Sequence, residues 1–268
     1  MRQRFRDPSE PRIVLVTSYP RSGSNWVGQT LRLLESTHAR INPDNVGLFH
    51  DLEVVRLETD VESYLYPGPA PLVFFKTHEL PGVVFERSPG LRGEVRAAIN
   101  VVRHPLDVMV SSLRWSIWAG RVFHDGRAVR TMEEARSLGL LDGYVEHFLA
   151  HKGAPDFAAS GYGTWPEHAR AWGGDQAQGV PILRARYREL VASPVETFGR
   201  LAASVGIDVG EDELRRAIEA CTPERIGAPF GQGFIHRAGD RTFSDTLSPE
   251  QIERGLAVFG EDIERLGL

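Results

Sequence analysis

Apolar positions along the chain fall into short β-branched runs, separated by stretches in which they recur at helical spacing. Ile13-Val14-Leu15-Val16 is the first run, with charged residues before it and Ser18, Pro20, Ser22 and Gly23 after it. This is the pattern of a strand buried on both faces. Beyond the turn, Trp26, Val27, Thr30, Leu31 and Leu34 share one helical face, with Ser24 or Asn25 able to cap the helix. Leu72 to Phe75, Ala97 to Val102 and Ile182 to Tyr187 are three further strand candidates. Helices are predicted over Asp107 to Trp118, after a break at Pro105, and over Glu133 to Ala150, where Gly139 and Gly143 weaken continuity. Ser193-Pro194-Val195-Glu196 combines a cap, a first-turn proline and a capping-box glutamate, so a helix should run to about Ser204 and end before Gly206. Ser248-Pro249-Glu250-Gln251 repeats that signal before the last helix. Between Ser36 and Pro71 the chain is rich in Asn, Asp, Gly and Pro, which predicts surface loops and one wall of a cleft, with Phe49, Tyr64 and Tyr66 available to a ligand. Gly227 to Thr246 is Gly-rich and predicted to be mobile, and no internal repeat appears.

Alternating strands and helices predict a three-layer α/β fold, P-loop-like in its strand-loop-helix start, with a central, mostly parallel sheet flanked by helices. Ligands of such sheets bind beyond the carboxyl ends of the strands. The 268 residues suit a single domain over residues 12–268 behind a charged, proline-containing tail at 1–11. A net charge of −5 supplies no overall field for nucleic acid or an anionic membrane, so a polyanionic ligand would need locally concentrated cations. One cysteine, Cys221, excludes an intrachain disulfide and a thiolate cluster, and cytoplasm is the expected location. No apolar run approaches the ~20 residues of a membrane span.

Three features end strands at the same predicted edge of the sheet. Ser18 to Trp26 joins the first strand to a helix N-terminus, where unpaired backbone N–H groups, the helix dipole and Arg21 can cradle an anion. A capped turn with an incidental arginine would look the same. The loop lacks the first glycine and the lysine of G-x-x-x-x-G-K-[ST], which weakens a kinase-like ATP or GTP reading. The second strand ends in Lys76-Thr77-His78, a proton acceptor beside a cation that can stabilise negative oxygen. A strand-end histidine can equally be a hydrogen-bonded structural residue. Arg103 follows the third strand, with Ser111 eight residues on. A planar guanidinium fork and a helical hydroxyl suit phosphate, although a surface arginine beside a proline turn would share the sequence. His147 and His151 lie one helical turn apart without the glutamate of H-E-x-x-H, and read as an exposed face rather than a metal site.

Together these segments resemble the sulfotransferases that use 3′-phosphoadenosine 5′-phosphosulfate (PAPS). Tyr19-Pro20-Arg21-Ser22-Gly23-Ser24-Asn25-Trp26 is similar to the family's Y-P-K-S-G-T-T-W loop for the 5′-phosphosulfate. Lys76-Thr77-His78 is similar to its K-T-H catalytic segment, and Arg103 to Ser111 to its R-N-P-K-D-V-A-V-S motif for the 3′-phosphate. Tyr187-Arg188-Glu189-Leu190 resembles Y-E-D-L, whose tyrosine meets adenine, and Thr222 falls near a second adenine segment. Gly163-Thr164-Trp165-Pro166-Glu167-His168 with Trp172 resembles G-x-W-x-x-H-x-x-x-W. Arg237-Ala238-Gly239 resembles the R-K-G triplet that closes on the 3′-phosphate, with Phe243 near the place of the following tryptophan.

The resemblance implies in-line transfer of a sulfuryl group from PAPS to a hydroxyl or amine of a small molecule, with His78 as base and Arg21 and Lys76 stabilising charge. It implies cofactor contacts at Arg21, Ser22, Gly23, Ser24, Asn25, Trp26, Arg103, Ser111, Tyr187, Thr222, Arg237, Ala238 and Gly239, and no metal. Two departures stand out: Arg21 replaces the loop lysine, and Ala238 replaces a lysine of the C-terminal triplet. A kinase-like phosphotransferase and a catalytically silent nucleotide-binding protein are the competing readings. Many family members dimerise, so a homodimer is allowed, but no sequence feature decides it. The acceptor is not legible; Asn42 to Tyr66, Ala119 to Thr131 and Gly227 to Thr246 are the candidate cleft walls.

Overall fold

The computed structural model describes residues 10–39, 49–58, 71–154, 157–228 and 239–268. The strands are β1 (Ile13–Thr17), β2 (Phe49–Asp51), β3 (Val73–Thr77), β4 (Val95–Val102), β5 (Phe123–His124), β6 (Arg127–Ala128), β7 (Gln176–Ala177) and β8 (Val180–Arg186). The first six helices are α1 (Ser24–Ala39), α2 (Leu52–Glu58), α3 (Pro81–Arg87), α4 (Pro105–Trp118), α5 (Met132–Ser137) and α6 (Leu140–His151). Then come α7 (Trp165–Ala171), α8 (Tyr187–Ala192), α9 (Pro194–Ser204), α10 (Glu211–Ala220), α11 (Pro223–Gly227) and α12 (Pro249–Leu266).

The main sheet runs β2-β3-β1-β4-β8-β7, and its pairs are parallel except for the antiparallel β7–β8 hairpin. All five residues of β1 are buried because the sheet is covered on both faces. Val14 and Val16 pack with Val27 and Leu31 of α1 and with Phe198 and Leu201 of α9. Ile13 and Leu15, pointing the other way, pack with Phe75, with Val84 and Phe85 of α3, and with Trp172. A continuous apolar run, rather than an alternating one, follows from those two covered faces. A further cluster joins Leu113 of α4, Phe148 of α6, Trp165 of α7 and Phe259 of α12.

The expected α/β architecture and all four expected strands are present, and β3 extends through Lys76 and Thr77. Several local expectations are corrected. Tyr187 is not the end of a strand but opens α8. Within the stretch read as irregular, α1 continues to Ala39, and β2 and α2 form. The polar His50 and Asp51 hide β2 from an apolar-run search, because its order comes from pairing with β3. Pro105 is not a break ahead of the helix expected from Asp107 but its first residue: α4 begins there, capped by His104, whose side chain accepts from the Leu106 N–H at 3.3 Å. Residues 133–150 form two helices, because Gly139 adopts φ 70° between them. Ser24 and Asn25 lie inside the first turn of α1, where the Gly23 carbonyl accepts from the Trp26 and Val27 N–H groups. The segment around Thr242–Asp245 forms a 3₁₀ turn, while residues 229–238 of the stretch expected to be mobile lie outside the described residues. Most of the expected N-terminal tail also lies outside them; Glu10, at its end, pairs with Arg96 at 3.0 Å. Among the described residues no helix is long and apolar enough to cross a membrane.

The two predicted helix starts differ. Ser248 Oγ accepts from the Gln251 N–H at 3.2 Å and Gln251 Oε1 accepts from the Ser248 N–H at 2.9 Å, a complete capping box. Ser193 makes no side-chain cap bond, so the expected box is absent there. Ser248→Ala should therefore cost about 1 kcal/mol of unfolding free energy and Ser193→Ala under ~0.5 kcal/mol. Urea titration checks the pair, and equal losses would contradict the difference.

Candidate active site

Five parallel strands end along one edge, and the residues just past them meet. A cavity of about 360 Å³ there is lined by Arg21, Gly23, Ser24, Asn25 and Trp26 after β1, by Lys76 and His78 from β3, by Arg103 and Ser111 after β4, and by Tyr187 after β8. The remaining sequence-predicted residues stand elsewhere. Ser22 is buried below the loop and is not a lining residue. Thr222 caps α11, and it is Pro223 and Ile226 of that helix that line the cavity. The Gly239 carbonyl accepts from Arg103 Nη2 at 3.1 Å. Arg237, Ala238, Tyr64 and Tyr66 lie outside the described residues. Phe49 packs against the core near α1 instead of the cavity. Of the expected cleft walls, the first contributes Asp51, the third contributes Thr242, and Ala119 to Thr131 contributes no lining residue.

The loop after β1 turns on two left-handed residues, Arg21 at φ 71° and Gly23 at φ 106°. A Cβ on Gly23 would stand 2.8 Å from the Tyr187 ring, so glycine permits both the turn and the close approach. The turn delivers the chain to the positive end of α1, a sixteen-residue helix. Arg21 Nε donates to Ser111 Oγ at 3.3 Å. Burial, and then the neighbouring Arg103, lower the Arg21 pKa to about 10, which leaves it a cation at neutral pH. Arg103 lies over the Tyr187 ring, 4.2 Å from its centroid, and its Nη1 reaches the Arg21 carbonyl at 3.5 Å. Asp107 Oδ2 is 3.9 Å from Arg103 Nε. Trp26 Nε1 and Arg103 Nε are buried without a hydrogen-bond partner among the described residues. Unused donors on residues lining a cavity that also holds two neighbouring arginines fit an anionic ligand of phosphate type.

The surroundings of His78 are built differently. His78 Nδ1 is 2.7 Å from the Ser18 carbonyl. A carbonyl only accepts, so Nδ1 carries the hydrogen and Nε2 keeps its lone pair. The half-buried ring lines the cavity, edge-on to Tyr162 at 5.6 Å. Burial, and then the Lys76 ammonium, pull its pKa down to about 4, so it is neutral at pH 7.

Lys76 Nζ is 2.6 Å from Asp51 Oδ2, and the β2–β3 register sets these two residues opposite one another. Next to them, Glu53 Oε1 accepts from Thr77 Oγ1 and from the His78 N–H, each at 2.8 Å. Burial, then the Asp51 carboxyl, hold the Glu53 pKa above the carboxylate range. Asp51 is held below that range: burial opposes its charge, but Glu53 and Lys76 outweigh it. Asp51 and Glu53 were missed in the sequence because they belong to the short, polar β2–α2 stretch. Trp115, Phe157 and Tyr162, also unflagged, add aromatic walls. His147 and His151 lie on exposed surface with ring centroids 4.3 Å apart and planes tilted by 47°, and no group of three His, Cys, Asp or Glu among the described residues could hold a metal.

Residues 11–267 match the sulfotransferase domain family, and the chain belongs to it. Its enzyme class is accordingly sulfotransferase. Relatives include the amine sulfotransferase of Oryctolagus cuniculus, 23% identical over 94% of this chain and 80% of the relative. Sulfotransferase 1A1 of Bos taurus is 24% identical over 78% of this chain and 64% of its own length. A mouse sulfotransferase crystallised with PAP superposes with a TM-score of 0.64 at 19% identity, covering 95% of this chain and 85% of its own. Retinol dehydratase in complex with androsterone and inactive cofactor PAP gives 0.62 at 16% identity, covering 97% and 82%.

Two expectations follow from the geometry. Glu53→Ala leaves the Thr77 hydroxyl and the His78 N–H without their acceptor, so unfolding free energy should fall by ~2–4 kcal/mol; a calorimetric melt within error of the parent would refute the anchoring role. His104 and His168 are both buried, and burial is the main cause that pulls their pKa values to about 4 and about 3. Below the ordinary histidine value the unfolded chain binds protons that the folded chain refuses, so stability is lost as pH falls. Between about pH 6.5 and 5 the loss should be on the order of 2 kcal/mol per histidine. Urea midpoints that do not move between pH 7 and pH 5 would contradict it.

Proposed function

We propose that this chain transfers a sulfuryl group from PAPS to a hydroxyl or amine of a small molecule, with His78 as the general base. The observation that carries the reading is one cavity with two differently built ends. At one end His78 presents a neutral imidazole whose Nδ1 is occupied by the Ser18 carbonyl. At the other, Arg21, Arg103 and Ser111 gather phosphate-binding groups beside a helix N-terminus. Relatives whose structures contain PAP support the same donor.

PAPS supplies the electrophilic sulfur and a good leaving group, 3′,5′-adenosine bisphosphate. His78 Nε2 takes the proton from the acceptor O–H or N–H. The freed pair forms the new bond to sulfur while the bond from sulfur to the bridging phosphate oxygen breaks. Arg21 and the loop N–H groups stabilise the charge that collects on the leaving phosphate. Lys76, now held by Asp51, turns toward the sulfuryl oxygens when the donor competes for it. Arg103 and Ser111 hold the 3′-phosphate, and Tyr187 with Trp26 borders the adenine. Trp115, Phe157 and Tyr162 offer an aromatic wall to the acceptor. We take residues 12–268 as one working domain, and a lone cysteine suits a reducing compartment such as the cytoplasm.

His78→Ala should abolish sulfated product while leaving bisphosphate affinity within about twofold, since a base acts on the transition state. Arg103→Ala should weaken bisphosphate binding by roughly ten- to a hundredfold through loss of a charge-assisted bond. Mass spectrometry and calorimetry read the two. Near-parental turnover in the first variant, or unchanged affinity in the second, removes that residue from its role. Tight bisphosphate binding with no product across a broad acceptor panel would mean a silent binding protein.

A further inference from the structure

A third arginine lines the cavity, and no motif accounts for it. Arg114 lies three residues beyond Ser111 on α4, so both project from the same face of the helix. Asp107, Ser111, Arg114 and Trp115 make a continuous stripe along the cavity wall. One edge of the Arg114 guanidinium is anchored: Nη2 donates to Thr246 Oγ1 at 3.0 Å. Its Nε is buried and has no hydrogen-bond partner among the described residues. No carboxylate among those residues comes within ion-pair distance of it; Asp107 and Asp245 act on it only from further away. Asp107 is in any case already engaged by the Arg241 N–H, the Thr242 hydroxyl and the Phe243 N–H. Burial, and then Arg103, both disfavour the Arg114 cation.

Neighbouring cations that are partly desolvated, with donors left over, are costly unless an anion joins them. By the resemblance of Arg237-Ala238-Gly239 to the family's R-K-G triplet, Ala238 also stands where a lysine cation would be expected near the 3′-phosphate. We propose that Arg114 is an additional ligand of the nucleotide's 3′-phosphate, supplying from α4 the positive charge that the C-terminal triplet lacks. The ligand chemistry is a phosphate monoester dianion on the ribose, shared between the forks of Arg103 and Arg114 and the hydroxyl of Ser111. This rests on the donor assignment above, so the test must separate the two.

Calorimetry with 3′,5′-adenosine bisphosphate and with adenosine 5′-monophosphate, which differs only by the 3′-phosphate, does so on the full chain. In Arg114→Met the preference for the bisphosphate should shrink by about tenfold or more, with monophosphate affinity within twofold of the parent. An unchanged preference overturns the proposal, whether both affinities fall together or neither moves. Arg114→Gln retains a donor for Thr246 and serves if the methionine variant does not fold. Arg103→Ala separates the causes. If it abolishes the preference while Arg114→Met leaves it intact, only the role of Arg114 fails. If the parent shows no preference for the bisphosphate at all, the donor assignment fails with it.

Discussion

The parallel pairing of β1 with both β3 and β4 is the constraint from which the site follows. Thr17 stands beside Thr77 on one side and Asn100 on the other. Strands that run the same way in register finish together, so whatever each chain segment carries next is delivered to one rim. Arg21, His78 and Arg103 are separated by dozens of residues in sequence, yet each is within four residues of a strand end. β8 extends the rim through the pairing of Val102 with Arg186, which brings Tyr187 under Arg103. On the far side, β2 sets Asp51 against Lys76. No side-chain contact has to gather these groups; the backbone ladder already has.

That convergence creates an electrostatic problem in a protein whose net charge is −5. Arginines cluster at one end of the cavity, and burial weakens the ionisation of two of them. At the other end, the Asp51 carboxylate neutralises Lys76, and burial keeps His78 uncharged. Crowded cations in the same cavity as a neutral imidazole suit the donor proposed above, whose charge is concentrated on its phosphates. The crowding also reconciles a net charge of −5 with that polyanionic donor, because the cations are gathered locally.

Much of this was legible in the sequence because the informative residues follow buried strands, which advertise themselves as apolar runs. Ile13 to Val16 and Ala97 to Val102 located the rim, and the residues after them supplied the chemistry. What was not legible depends on partners rather than on pattern. β2 has only three residues, two of them polar, and exists because β3 is beside it; with it, Asp51 and Glu53 were lost from view. Arg114 sits on a helix that the sequence predicts, but the prediction does not reveal which of its faces borders a cavity. The helix start at Ser193 had the right residues and the wrong hydrogen bonds, since the Ser193 N–H that a capping-box glutamate would accept from is already given to the Glu189 carbonyl at the end of α8. Capping letters predict a start more surely than they predict which atoms meet.

Asp107 has a consequence beyond charge balance. Through its two oxygens it captures Arg241, Thr242 and Phe243, and the Phe243 ring stacks 4.7 Å from His104 at the cap of the same helix. Chain that follows the triplet is thereby fastened to α4 when the protein folds. Residues fastened in this way have little freedom to surrender when a ligand arrives. Recognition at that side of the cavity then draws on a wall whose position is settled before any ligand is present.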